Sequence, residues 1–139
     1  MSEPDDKPWL ARYGDMDGCL PWLFALVWWV NGLFCKVLDL VPRHREIVAR
    51  LLGDEHALAL TRAIGVGEII LGVWIYSAWK WKWSATVQIL GVAAMNVIEL
   101  CLASDLLLFG RWNALIALAY IIWVAYAGFF LPSPTRLRP

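Results

Sequence analysis

The stretch TRAIGVGEIILGVWIYSAW, Thr61 to Trp79, decides the fold. A helix of this length spans the roughly 30 Å hydrocarbon core of a bilayer. It carries Arg62 near its start and Glu68 near its middle. A carboxylate at that depth costs about 2.5–3.5 kcal/mol on insertion scales. A chain keeps such a group when it has a partner or a task. Thr61, Gly65, Glu68 and Gly72 recur at helical intervals and form one stripe. Small residues let a neighbouring helix approach closely, so the stripe, Glu68 included, is expected to face protein rather than lipid.

Working outward, three more apolar blocks flank this one. The first span covers about 20–40, with Asn31 and Gly32 in its middle. Lys36 and Asp39 come near its end, three apart on one helix face, and can pair. PRHREIVARLLG (42–53) follows. Proline suits a first helical turn and glycine a helix stop. Ile47, Val48, Leu51 and Leu52 gather on one side, with Arg43, Arg45, Glu46 and Arg50 elsewhere. That pattern predicts a short amphipathic helix over about 42–52, lying in the membrane interface. Asp54 is placed to cap the next helix, and the second span then covers about 58–79.

WKWKW (79–83) has the alternation of indole and ammonium that a membrane–water boundary favours, and is expected to anchor the turn into the third span, about 83–103. There Gln88, Val92, Asn96, Glu99 and Ala103 share a face. The fourth span, about 111–131, starts with Asn113 close behind and ends at Pro132. Residues 1–18 read as a polar tail, 19–131 as one membrane domain and 132–139 as a second tail. The class is therefore all-α: an antiparallel bundle of four transmembrane helices joined by short connections.

Composition agrees. The chain has 139 residues, 60% of them hydrophobic, with ten tryptophans and no net charge. Soluble domains are nearer half apolar, and a neutral chain offers no basic surface for nucleic acid. The acid-rich start lacks the pattern of a cleaved secretory signal, so the first span is expected to be retained. Four spans put both termini and the WKWKW turn on one side, with Lys7, Arg12, Lys80, Lys82, Arg136 and Arg138. Arg43, Arg45, Arg50 and Arg111 fall on the other, and Lys36 and Arg62 lie in span ends near it. This bias of cations places the termini of a multi-pass protein in the cytoplasm.

At about 1.5 Å of rise per residue, Lys36, Arg62 and Glu99 lie about 6 Å below the far side, Asn96 one turn deeper, and Glu68 about 15 Å down. All four spans send polar groups into that half. Asn31, Lys36, Arg62, Glu68, Asn96 and Glu99 are the candidate ligand-binding residues. One reading is an ion-pair and amide network that fixes helix pairing. The other is a cavity with Glu68 at its floor, binding a polar head group or relaying protons. The offset in depth and helix face between Glu68 and Arg62 favours a ligand role for the acid. Cys19, Cys35 and Cys101 form no closely spaced redox pair and are expected as free thiols. His44 and His56 show no metal-ligand pattern and are expected in solvent.

NGLFCKVLDLVPRHREIVARLLG (31–53), LTRAIGVGEII (60–70), MNVIEL (95–100) and DLLLFGRWNAL (105–115) resemble the DoxX-like family of small four-span membrane proteins. The likeness covers about residues 22–130, and Arg62 and Glu68 match an Arg–Gly–Glu pattern on the second span. The family's namesake is associated with a thiosulfate–quinone oxidoreductase, and the wider group with redox or assembly roles. The resemblance implies the fold and a bacterial inner-membrane location more than a chemistry; with the polar site, the leading reading is a non-enzymatic membrane subunit that binds a quinone-like or lipid-like molecule, or a partner, there. The alternative is a membrane subunit of a quinone-linked oxidoreductase. A proton-coupled transporter is the third class, and needs a homo-oligomer because four spans are few for a carrier. No cofactor motif is present; quinone is the one candidate, and the catalytic residues are unassigned.

Overall fold

The computed structural model describes residues 18–107 and 109–134, so nearly all of the first expected tail and most of the second lie outside the described residues. The described chain is all helix, without strands. Helix α1, Cys19–Trp29, continues as a π-helix over Val30–Val37. α2 is Pro42–Leu52, α3 is Ala57–Ser77, and α4 is Trp81–Leu102. A 3₁₀ turn, Ser104–Leu106, leads towards α5, Trp112–Ala125, which also ends in π-helix, Tyr126–Phe130. Cys19–Val37, α3, α4 and Trp112–Phe130 are each long and apolar enough to cross a membrane.

Large apolar side chains point outward all round the bundle, among them Ile70, Leu90, Val97, Ile122 and Phe130. In water this would be an aggregating surface; in a bilayer it is the lipid-facing one. Where lipid is as apolar as leucine, helices associate through close packing instead. α1 and α3 show how. Their approach is so tight that a Cβ on Gly32 would sit 2.5 Å from the Gly65 carbonyl oxygen, and one on Gly65 would sit 2.6 Å from that of Gly32. Higher up, the Trp29 ring covers Gly72 and its indole nitrogen donates to the Ile69 carbonyl at 3.2 Å. The expected stripe is thus the α1 seam: Thr61, Gly65, Glu68 and Gly72 are all buried.

α4 packs along α5 as a second pair. At the end of the bundle that carries the WKWKW turn, an aromatic core joins the pairs. Phe24, fully buried, lies 4.6 Å from the Trp123 ring centre, 6.0 Å from Tyr120 and 6.1 Å from Trp81.

Four local expectations need correction. The helix of the first span stops at Val37 rather than Leu40, because Asp39 turns left-handed at φ 53° and Val41 is extended before Pro42. Lys36 and Asp39 therefore share no helix face; Asp39 accepts from Arg45 at 2.6 Å. Asp54 caps nothing through its side chain, and its carbonyl takes the Ala57 N–H at 3.3 Å. In WKWKW only the outer tryptophans are exposed. Trp81 is 3% exposed and donates to the Ala127 carbonyl at 3.1 Å, because α4 begins there and turns this residue inward. In α2, Ile47 and Val48 are buried but Leu52 is exposed, and Arg43 of the charged flank lies in the first turn, which covers the bundle.

Candidate functional site

Away from the aromatic core, the bundle does not close. A cavity of about 370 Å³ lies between α1, the first turn of α2, α4 and α5. Its volume is within the range of small-molecule sites, on the order of 300–1,000 Å³. Val27, Val92, Met95, Ile116 and Ala117 give it apolar walls. Asn31, Lys36, Arg43, His44, Asn96, Glu99 and Asn113 give it polar ones, and Trp28 and Tyr120 complete the lining.

Each polar group has a structural reason to be there. Asn31 and Lys36 lie in the π-helical segment that follows α1. A π-turn holds more residues than an α-turn and often occurs at functional sites. Lys36 is 4% exposed, and its ammonium donates to both oxygens of Glu68, at 2.7 and 2.8 Å. Glu68 is itself 6% exposed and stands behind the lysine rather than in the lining. The expected Glu68 floor is thus corrected. The depth comparison fails because α1 ends early and a lysine side chain is long enough to reach across.

Asn96 and Asn113 join α4 to α5. The Asn113 amide donates to the Asn96 side-chain oxygen at 3.3 Å, while Asn96 donates back to the Val92 carbonyl at 3.0 Å. Nearer the aromatic core, Trp28, Gln88 and Tyr120 form a closed triangle. The Trp28 indole donates to Gln88 Oε1 and to the Tyr120 hydroxyl, both at 3.1 Å, and that hydroxyl donates to Gln88 Oε1 at 2.8 Å. This triangle spans three helices and seals the inner end of the cavity with satisfied groups.

The outer end is less satisfied. Arg43 Nε and Nη1 are buried and have no hydrogen-bond partner among the described residues. Leaving a buried charged donor unmet is costly. Glu99 feels the charges of Arg43 first and Lys36 second, yet its carboxylate accepts no hydrogen bond there. His44, beside Arg43, is half-buried, not solvated as expected. Burial, helped by the charges of Lys36 and Arg43, pushes its pKa down to about 4, so the ring is neutral at physiological pH.

Of the sequence candidates, then, Asn31, Lys36, Asn96 and Glu99 line one cavity, Glu68 holds Lys36 from behind, and Arg62 stands apart. Arg62 is exposed, one position off the buried stripe and about a third of a turn away from Glu68. Sequence reasoning missed Arg43 and His44, which follow a proline in an amphipathic pattern that marks them as outward. Their one signal was Pro42, which fixes where the helix starts and hence which turn covers the bundle.

Cys19 and Cys101 are exposed and Cys35 half-buried, all three as free thiols. No group of three His, Cys, Asp or Glu among the described residues could hold a metal ion.

No curated protein and no solved structure matches the chain. A family model described as the DoxX-like family matches residues 25–126. That match takes in the second and third spans, most of the first and fourth, the buried ion pair and the whole cavity lining, and on it the chain belongs to the DoxX-like family of membrane proteins.

Proposed function

We propose that this protein is a non-enzymatic membrane subunit whose cavity holds a lipid-like or quinone-like molecule by its polar head. The observation that carries the reading is Arg43. Two of its guanidinium nitrogens are buried without an acceptor beside a cavity of about 370 Å³. An oxygen-bearing head group would supply the acceptor, and the apolar walls suit a chain. The Lys36–Glu68 pair serves the site from behind by fixing the lysine, and serves the fold by locking α1 to α3. This head group enters from the side opposite the WKWKW turn, in an inner membrane with cytoplasmic termini.

The test is extraction from native membrane into lipid nanodiscs, followed by mass spectrometry of co-purifying small molecules. One species should be enriched over the bulk lipid. Arg43→Met removes the unmet donors, and Ala117→Leu fills the apolar wall; both should lose that species. Identical lipid profiles in all three proteins would contradict the reading.

A further inference from the structure

We infer that the cavity selects a neutral, hydroxyl-bearing head group and disfavours anionic ones. This rests on the ligand reading above and narrows it to a chemical class. Two observations carry it.

The first is the pairing of unmet groups. Arg43 offers buried donors that have no acceptor, and the half-buried Glu99 of the same lining accepts from no described residue. A ligand that meets both needs brings an acceptor oxygen and an O–H. An alcohol or phenol oxygen does both. A ketone, an ester or a fully ionised phosphate brings acceptors alone and leaves Glu99 bare. Asn31, Asn96 and Asn113 can donate or accept and so favour neither class.

The second observation is charge. Lys36 is neutralised by Glu68 at 2.7 Å. Arg43 is the opposite charge that acts most strongly on Glu99, ahead of Lys36. His44 adds nothing at neutral pH, its pKa lying at about 4. The cations and anions of the cavity are therefore already balanced. An anionic head would introduce an uncompensated charge away from water, and such a charge is expensive. A neutral head leaves the balance intact.

A monoglyceride and a quinol share this head chemistry, and the experiment separates them. The full chain in nanodiscs is offered 1-decanoylglycerol, decylhydroquinone, decyl phosphate and methyl decanoate at equal concentration, and retention is read by native mass spectrometry. At least one hydroxylated probe should be retained about tenfold or more over decyl phosphate and methyl decanoate, the scale of one unmet buried hydrogen bond. Which of the two is held more tightly identifies the source. Glu99→Gln removes one negative charge and should shift the ratio towards decyl phosphate by about tenfold. Equal or preferred retention of decyl phosphate by the wild type overturns the selectivity but leaves the ligand reading standing. So does an unchanged ratio in a folded Glu99→Gln variant. The wild-type ratio decides by itself if that variant does not fold. Retention of every probe no better than in Ala117→Leu overturns both.

Discussion

Lys36 Nζ holds both carboxylate oxygens of Glu68, so removing one charge strands the other inside the bundle. Glu68→Gln should lower stability in detergent by about 3–5 kcal/mol, the usual cost of breaking a buried pair. Adding Lys36→Met should restore most of it, because the stranded cation is then gone. Arg62→Met should restore nothing, since Arg62 is exposed and far round the helix. Thermal melts of the four proteins check this. Both members of the pair were legible in the sequence as charges within spans. An intramembrane ion pair was also legible, but which cation Glu68 takes was not, because that depends on where the first span's helix ends and on a side chain crossing between helices. His44 gives a second residue-scale prediction. Its folded pKa is about 4 against 6.5 for the free group. Between those values the unfolded chain binds the proton and the folded one does not, so stability falls as pH drops from 6.5 to 4. His44→Gln should flatten that part of the stability–pH curve, measured as melting temperature over the same window. An unchanged slope would mean that His44 is not held neutral.

At the scale of the element, the α1–α3 seam depends on two glycines meeting backbone to backbone. Gly65→Ala should destabilise the protein by about 1–3 kcal/mol or more, as overpacking does, because a new Cβ meets the Gly32 carbonyl oxygen at 2.6 Å. Gly67→Ala is the matched control: a Cβ there meets nothing within 4 Å. It should be neutral or slightly stabilising, since alanine is a better helix former by about 0.5–1 kcal/mol. Equal effects of the two changes would show that the seam is not tightly packed. The stripe itself was readable from spacing alone, because small residues at helical intervals have one physical use inside a membrane. The π-helical stretch over Val30–Val37 was not, as no residue type there demands it. Trp81 was misassigned for a related reason: alternating Trp and Lys fits an interface, but the start of α4 decides which indole points inward.

For the whole molecule, four spans and the bias of cations predict that Lys80 and Lys82 face the cytoplasm and the α2 segment the opposite side. Single cysteines introduced at positions 46 and 82, in a background without Cys19, Cys35 and Cys101, test it in intact cells. An impermeant thiol reagent should label position 46 at once and position 82 only after permeabilisation. The reverse order would invert the protein, and like behaviour at both positions would rule out the four-span topology. The four-span class was readable from apolar blocks, and the gathering of polar groups in one half from rise per residue. What the sequence could not show is that the two halves differ in closure. Phe24, Trp81 and Trp123 fill one end with rings, whereas Lys36, Arg43, Glu99 and the asparagines leave a cavity at the other. Arg43 makes that cavity look like a ligand site, and the most direct measurement is of its contents. A structure determined from native membrane, without exposure to detergent, should show continuous elongated density in the cavity. Its head should lie within hydrogen-bond distance of Arg43, and its chain along Val92, Ile116 and Ala117. A cavity holding only water, or closed by an Arg43–Glu99 ion pair, would contradict the account.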